Sequence, residues 1–134
     1  MDASILIADD YEDNRELLRL ILAAANYEVR EACDGRECLK LAREQPPDLI
    51  MLDLFMPGLD GWLVFQELRV DERTSGIPCV AVTAYGEFDR HRALQAGFSG
   101  YLSKPFRGEE LLDTVRQILS ERSSKRNVAS TAEQ

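Results

Sequence analysis

Apolar residues cluster in five short runs separated by longer amphipathic stretches. Each run is four or five residues long, which is typical of a buried strand and too short for most helices. The runs are Ile5–Ala8, Glu28–Ala32, Asp48–Leu52, Cys79–Thr83 and Gly100–Ser103. The pattern therefore predicts five β-strands.

The stretches between these runs carry apolar residues at helical spacing. The clearest examples are Leu17, Leu18, Ile21, Leu22 and Ala25 in the first stretch, and Leu111, Leu112, Val115, Ile118 and Leu119 near the end. A helix with one apolar face lays that face on a sheet. Strands that alternate with helices form a parallel sheet joined by right-handed crossovers. We therefore predict a doubly wound α/β domain with helices on both faces of the sheet.

The chain has 134 residues, enough for a single domain of ordinary size. The amphipathic pattern fades near residue 121, and the remaining stretch is polar with one branched apolar residue, Val128. We expect residues 1–121 to form the domain and residues 122–134 to be a disordered tail or the stub of a linker.

Charge and cysteine content narrow the class of protein. The formal net charge is −8, so the chain lacks the basic field that attracts a nucleic acid backbone, and direct DNA or RNA binding is disfavoured. The three cysteines form neither an even disulfide framework nor a paired metal motif, which favours reduced thiols in a cytoplasmic protein. The apolar runs fit neither a transmembrane helix nor a secretory signal, and we expect no membrane partner.

Candidate chemistry lies where the predicted strands end. Asp9 and Asp10 follow the first strand, Asp53 the third, while Thr83 ends the fourth and Lys104 follows the fifth. The carboxyl ends of parallel strands meet at one edge of the sheet, where ligands bind in open α/β folds. Three carboxylates within about 4 to 5 Å repel by roughly 4 kcal/mol per pair at an effective dielectric of 20. A single lysine neutralises one charge, so the pattern favours Mg²⁺, a hard divalent cation that prefers oxygen ligands. The alternative is that these acids are helix N-caps and solvated loop residues.

The residues at this edge match a known family. The chain closely resembles the receiver domain of two-component response regulators (CheY-like) over residues 4 to about 121. The motifs that carry the resemblance are Asp9-Asp10, residues 52–61 (LDLFMPGLDG), residues 82–84 (VTA) and residues 101–106 (YLSKPF). The resemblance implies a flavodoxin-like fold with a five-stranded parallel sheet in the order 2-1-3-4-5 and five flanking helices.

The resemblance also implies roles for the acids. Asp53 is the implied phosphoacceptor, which takes a phosphoryl group from a phosphohistidine on a sensor histidine kinase or a histidine phosphotransfer protein. A carboxylate suits this role because it is already ionised at neutral pH. Asp10 and Asp53 are implied as direct Mg²⁺ ligands, with Asp9 assisting and the backbone carbonyl of Phe55 as the third ligand.

The other motif residues are implied to act on the phosphoryl group. Thr83 and Lys104 bind phosphoryl oxygens and stabilise the charge that spreads over them during transfer. Ala84 is small and leaves room for the donor. Lys104 and Pro105 are expected to be joined by a cis peptide bond, which proline tolerates.

A switch and an output surface follow from the same resemblance. Thr83 moves toward the phosphoryl group and vacates space for Tyr101, which changes the face made by the helix at 87–96, the strand at 100–103 and the helix at 108–121. A downstream protein or an effector domain reads this face, and the resemblance leaves open a homodimer through it. Both a stand-alone regulator and a fragment of a longer regulator or hybrid kinase fit the sequence.

Two bulky residues are hypothesised to set the lifetime of the phosphorylated state. Phe55 and Tyr85 each lie two residues after a site residue and flank the phosphoryl group, where they restrict the attacking water.

Two other functions compete with the receiver interpretation. A Mg²⁺-dependent phosphohydrolase with an aspartyl-phosphate intermediate places a second acid two residues after its nucleophile, where this chain has Phe55. A docking module that is never phosphorylated would be favoured by loss of an acid, Thr83 or Lys104, and none of these is lost.

Overall fold

The computed structural model describes residues 2–84 and 87–132. Within these ranges five strands alternate with five helices along the chain. The strands are β1 (Ser4–Ala8), β2 (Glu28–Ala32), β3 (Leu49–Asp53), β4 (Cys79–Thr83) and β5 (Gly100–Ser103). The helices are α1 (Glu12–Ala24), α2 (Gly35–Glu44), α3 (Gly61–Val70), α4 (Glu87–Ala96) and α5 (Gly108–Ala132). All five predicted strands are confirmed, and only the first and third differ, by one residue at their ends.

The strands form one sheet in the order β2-β1-β3-β4-β5, and every neighbouring pair is parallel. The predicted flavodoxin-like topology is therefore confirmed. Ala8 of β1 pairs with Leu52 of β3, so Asp9 and Asp53 follow neighbouring positions on adjacent strands. This register brings the predicted carboxylates to the same edge of the sheet.

Alternation along the strands divides the core into two layers. Ile5, Ile7, Leu49 and Met51 belong to one buried cluster with Leu18, Leu22, Leu111 and Val115 of α1 and α5. Leu6, Ala8, Ile50 and Leu52 belong to the other, with Cys38, Val64, Phe65 and Ala93 of α2, α3 and α4. Because both faces of the central strands are covered, β3 and β4 are buried along their whole length. Burial of each of these aliphatic side chains stabilises the folded state by about 1.5 to 3 kcal/mol relative to leaving it exposed.

Two helices start at aspartate caps. The Asp34 side chain accepts the Glu37 N–H at 2.8 Å, and the Asp60 side chain accepts the Leu63 N–H at 3.0 Å. These bonds satisfy donors that the first turn of a helix leaves without partners. They fix where α2 and α3 begin beside the carboxyl edge of the sheet.

One position on α1 differs from the prediction. Leu17 was assigned to the apolar face that packs on the sheet, but it is 51% exposed, whereas Leu18 and Leu22 are buried. Leu18 and Leu22 are four residues apart and share the buried face of the helix. Leu17 points about 100° away from Leu18 around the helix axis, and its side chain therefore lies outside that face.

The last helix runs past the predicted domain boundary. The sequence predicts a polar tail from residue 122, and the helical backbone of α5 continues to Ala132. The sequence holds no glycine or proline after Gly108, so no strong stop signal ends the helix at 121. Arg122 donates to the backbone oxygen of Asp48 at 2.5 Å, which ties the helix to the start of β3. The division of the chain at residue 121 into a domain and a tail stays a prediction.

The cysteines are free, as predicted. Cys38 and Cys79 are buried, and Cys33 is exposed. Burial raises the pKa of both buried thiols to about 12, so they are unreactive near neutral pH. Among the described residues, no helix combines the length and the apolar character needed to cross a bilayer.

Candidate functional site

Three carboxylates meet at the carboxyl edge of the sheet. One oxygen from each of Asp9, Asp10 and Asp53 lies within 4.8 Å of the other two. Asp9 and Asp53 are buried, and Asp10 is exposed. Asp9 and Asp53 are thus shielded from solvent, while Asp10 is in contact with it.

Lys104 links the two buried acids. Its Nζ lies 3.0 Å from Oδ2 of Asp9 and 3.3 Å from Oδ2 of Asp53. The Lys104 backbone N–H donates to the Thr83 carbonyl at 2.8 Å, which continues the pairing of β4 with β5 up to the site. The peptide bond between Lys104 and Pro105 is cis, as the resemblance implied.

The other oxygen of each buried acid accepts a backbone N–H. Oδ1 of Asp9 accepts from Tyr11 at 2.9 Å, and Oδ1 of Asp53 accepts from Phe55 at 3.0 Å. Each carboxylate is therefore fixed in orientation, with one oxygen on the loop that follows its strand and the other on the lysine.

Arg15 is a contact that sequence reasoning missed. Its guanidinium donates to the Asp9 carbonyl at 2.8 Å and pairs with Glu31 at 3.5 Å. The only signal in the sequence is its place on the first helix, six residues after Asp9, and an exposed helical arginine is the ordinary expectation there.

The cluster is short of positive charge. Three carboxylates and one ammonium leave it two charges negative. Burial raises the pKa of the Asp53 carboxyl above its ordinary value, although the Phe55 N–H and Lys104 act in the opposite direction. Burial also acts to lower the pKa of Lys104, but its bond to Asp9 and the charges of Asp53 and Asp9 outweigh this and raise it. The oxygen donors and the missing charge both suit a divalent cation such as Mg²⁺.

Thr83 offers a free hydroxyl beside the acids. Its side chain is 1% exposed, and within the described part of the chain its Oγ1 has no hydrogen-bond partner. A buried hydroxyl without a partner is uncommon in folded proteins because its desolvation is uncompensated. The atom is available to an oxygen-bearing ligand at the end of β4.

An apolar groove opens beside Lys104. It encloses about 380 Å³ and is lined by Asn14, Leu17, Leu18, Ala84, Lys104, Pro105 and Phe106. A larger cleft of about 850 Å³ lies between α3 and α4 and contains none of the three clustered acids. The smaller groove is not lined by these acids either, but its lining includes Lys104, which pairs with Asp9 and Asp53.

The remaining predicted residues lie around this edge. The Tyr101 ring is buried in the core layer under α2, α3 and α4, and Tyr101 pairs with Ala81, two residues before Thr83. The Phe55 side chain is 43% exposed, and Ala84 is exposed. Tyr85 lies outside the described residues.

Comparisons with known proteins agree with the geometry. The family model for the response regulator receiver domain matches residues 5–116. The chain is 45% identical over 116 residues to the DNA-binding transcriptional regulator RpaA of Synechocystis, covering 86% of this chain and 48% of RpaA. It is 37% identical over 122 residues to the polar-differentiation response regulator DivK of Brucella ovis, covering 90% of this chain and 99% of DivK.

A solved structure gives the same result. The receiver domain of sensor histidine kinase PA1611 from Pseudomonas aeruginosa, which holds a magnesium ion in its active site cleft, superposes with a TM-score of 0.82 at 31% identity. The match covers 90% of this chain and 99% of that domain. The match to the family model, the sheet order and the acidic cluster agree, and the chain belongs to the response regulator receiver domain family, a signalling module of two-component systems.

Proposed function

We propose that this chain is a phosphoacceptor in a two-component or phosphorelay system, with Asp53 as the residue that is phosphorylated. The observation that carries the proposal is the position of the Asp53 carboxylate. It is buried, lies beside buried Asp9 and exposed Asp10, is bonded to Lys104 at 3.3 Å, and stands at the same strand edge as the unpartnered Thr83 hydroxyl.

The proposed reaction is a phosphoryl transfer between two proteins. An Asp53 carboxylate oxygen forms a bond to phosphorus while the bond from phosphorus to the donor's histidine nitrogen breaks. The nitrogen keeps the electron pair of the broken bond, and the imidazole later takes up a proton from solvent. The donor is a sensor histidine kinase or a histidine phosphotransfer protein.

The acids fit a Mg²⁺ ion. Asp10, Asp53 and the Phe55 carbonyl would bind it directly and Asp9 would assist, a set of hard oxygen ligands that Mg²⁺ prefers. The bound ion would offset the two uncompensated negative charges and screen the incoming phosphoryl oxygens from the carboxylates. Asp9 is already engaged by Lys104 and the Tyr11 N–H, which suits a supporting role.

Thr83 and Lys104 stabilise charge during the transfer. The Thr83 hydroxyl donates to one phosphoryl oxygen, and the Lys104 ammonium binds another. Fixed donors of this kind lower the barrier because they need no reorganisation as charge develops. Ala84 is exposed and carries only a methyl group, which leaves the donor imidazole a path to Asp53.

The donor docks at the groove beside Lys104. Leu17 of α1 lines this groove and is 51% exposed, and Tyr11, the residue before α1, is 58% exposed, so apolar surface is available on this side of the molecule. Exposed apolar patches of this kind mark interaction sites. Ala84, which carries only a methyl group, also lines this groove.

Output passes through the face formed by α4, β5 and α5. When Thr83 turns toward the phosphoryl group, the space around Tyr101 changes, and a downstream protein or effector domain reads the altered face. Full switching needs about 5.5 kcal/mol of differential interaction. Charge-assisted hydrogen bonds from Thr83 and Lys104 to one phosphoryl group are the type of interaction that can supply this difference.

A mass measurement tests the proposal. We expect incubation with Mg²⁺ and acetyl phosphate to add one phosphoryl group to the wild type and none to Asp53→Asn. Asp60→Asn, a change to a nearby acid that caps α3, serves as the matched control and takes up the group normally. An adduct that persists on Asp53→Asn, or a wild type that stays unmodified, contradicts the proposal. Steady release of phosphate from an external phosphomonoester would instead favour a phosphohydrolase.

Phe55 and Tyr85 are proposed to slow loss of the phosphoryl group by restricting the attacking water. The support is the 43% exposure of Phe55 at the rim of the site, while Tyr85 stands only on its place in the sequence. Phe55→Asn and Tyr85→Glu should each shorten the half-life of the phosphorylated state, by about threefold or more. Unchanged or slower decay of the phosphorylated fraction in both variants would overturn this assignment.

A further inference from the structure

The loop of residues 54–60, between β3 and α3, starts at the proposed phosphoacceptor and closes on itself. Gly61, the first residue of α3, donates its N–H to the Leu54 carbonyl at 3.0 Å. Phe55, inside the loop, donates its N–H to the Asp53 carboxylate at 3.0 Å. The same short loop therefore accepts a hydrogen bond from the first residue of α3 and orients the Asp53 side chain.

Gly61 has no room for a side chain. A Cβ at this position would overlap the Asp53 carbonyl oxygen and would lie 2.6 Å from the Leu54 Cα and 2.9 Å from the Asp53 carbonyl carbon. Real Cβ contacts are essentially never below 3.0 Å. Every atom in the way is backbone, so no side-chain rotation relieves the overlap.

The close approach of the Asp53 and Leu54 backbone is the reason that position 61 requires glycine, and the φ angle of Gly61 is not. Gly58 and Gly97 are the glycines with positive φ among the described residues, and Gly61 is not one of them. Any residue type is compatible with the φ of Gly61, so the absence of the side chain itself matters. This absence lets the first turn of α3 rest directly on the Asp53 peptide.

We propose that Gly61 is a positioning residue for phosphoryl transfer, an inference that rests on the proposed function of Asp53. The bare α-carbon sets how closely α3 approaches the end of β3. That distance fixes the loop, and the loop aims both the Asp53 carboxylate and the Phe55 carbonyl. A methyl group at position 61 pushes α3 outward, opens the Leu54 bond and turns both oxygens away from the place where cation and phosphoryl group bind.

The first test compares two glycine-to-alanine changes. Gly61→Ala should raise the dissociation constant for Mg²⁺, measured by calorimetry, about tenfold, and should slow phosphorylation by acetyl phosphate at least tenfold. Gly76→Ala is the matched control, because a Cβ at Gly76 meets no atom within 4 Å and its φ is not positive. This control should stay within twofold of the wild type in both measurements.

A second comparison separates positioning from loss of stability. Gly35→Ala strains the far end of the same loop, where a Cβ would lie 2.6 Å from both the Leu59 carbonyl oxygen and Val64 Cγ2. We expect urea unfolding to show destabilisation in both Gly35→Ala and Gly61→Ala, but the large loss of Mg²⁺ affinity only in Gly61→Ala. Equal losses of Mg²⁺ affinity in the two variants, in proportion to their stability, would overturn the proposal.

A third pair covers the case in which Gly61→Ala does not fold. Asp60→Ala removes the cap that holds the first turn of α3, whereas Asp60→Asn keeps an oxygen acceptor for the Leu63 N–H. We expect two- to fivefold weaker Mg²⁺ binding in Asp60→Ala and near wild-type binding in Asp60→Asn. Unchanged binding in Asp60→Ala would count against positioning through the start of α3.

The outcomes also separate this inference from the proposed function. A wild type that binds Mg²⁺ but takes no phosphoryl group ends the proposed function, and the assignment of Gly61 to phosphoryl transfer falls with it. A wild type that is phosphorylated normally, with Gly61→Ala equal to it in affinity and rate, ends only the inference about Gly61.

Discussion

At the scale of single residues, the acidic site works against the stability of the metal-free protein. Asp9 is 1% exposed and Asp53 is 7% exposed, yet both acids form their ion pair with the same lysine, Lys104. Burying a charge that is only partly compensated costs free energy, and Coulomb repulsion among the three acids adds to this. Binding sites commonly hold such arrangements because the ligand, when it arrives, supplies the missing charge.

The first prediction at this scale concerns pH. Burial raises the folded-state pKa of Asp53 above its ordinary value of 3.8, so the folded protein holds this proton more tightly than the unfolded chain does. The stability of the metal-free protein should therefore fall as pH rises through the folded-state pKa. Asp53→Asn removes the buried charge and should be more stable than the wild type at pH 7 in EDTA.

The measurement is urea unfolding in EDTA at pH 4 and at pH 7. The gain from Asp53→Asn should be larger at pH 7 than at pH 4, because more of the carboxylate that it removes is ionised at the higher pH. Glu72→Gln is the control: it removes an exposed acid that is not part of the acidic cluster and should change the free energy of unfolding little at either pH. A destabilised Asp53→Asn at pH 7 would mean that the bond to Lys104 outweighs the cost of burial.

At the scale of elements, α3 and α4 are joined by a stack of rings and guanidinium groups. Phe65 of α3 stacks on Phe98 with centroids 4.0 Å apart, and Trp62 meets Phe98 edge-on at 5.8 Å. Arg69 lies over the Phe65 ring at 4.7 Å, and Arg92 of α4 lies over the Trp62 ring at 4.3 Å. The Arg92 contact reaches directly from one helix to the other, beside the proposed output face.

The prediction for this element follows from that contact. Arg92→Gln should lower the free energy of unfolding by about 0.5 to 1 kcal/mol, the usual value of an exposed cation–π pair. It should also change the emission of Trp62, the single tryptophan of the chain. Arg90→Gln on the same helix is the control and should alter neither quantity. Equal emission spectra for Arg92→Gln and the wild type would show that the contact is not formed in solution.

At the scale of the whole molecule, the fold holds two core layers apart and leaves the site at one edge. Helices cover both faces of the sheet, so the carboxyl ends of β1, β3, β4 and β5 are where loops from both layers meet. A ligand bound there contacts several elements at once. It therefore stabilises the folded state as a unit, since the unfolded chain has no such site.

Mg²⁺ should accordingly raise the melting temperature. An ion at one hundred times its dissociation constant contributes about 2.7 kcal/mol, or roughly 8 °C for a chain of this size. Asp10→Asn should lose most of this shift, while its metal-free melting temperature stays near that of the wild type because Asp10 is exposed. Asp13→Asn alters an exposed acid of α1 outside the cluster and should keep the full shift. A full shift in Asp10→Asn would remove that residue from the proposed ligands.

Local sequence patterns are enough to predict the helices and strands and the edge of the sheet where the acids and the lysine lie. Strand and helix periodicity are local properties, so all five strands could be located from the apolar runs. Parallel strands share one carboxyl edge, and this rule alone brings Lys104 to Asp9 across 95 residues of sequence.

Contacts that depend on distances between elements became visible in the folded molecule alone. Local patterns could not show that Leu17 faces solvent, or that Arg15 reaches the Asp9 carbonyl. The absence of a stop signal permits a longer α5, but the bond from Arg122 to Asp48 belongs to the folded molecule. Gly61 reads in the sequence as an ordinary turn residue, and its lack of a side chain matters only because α3 packs against the Asp53 peptide. Packing fixes such distances to tenths of an ångström, and composition and periodicity carry no information at that scale.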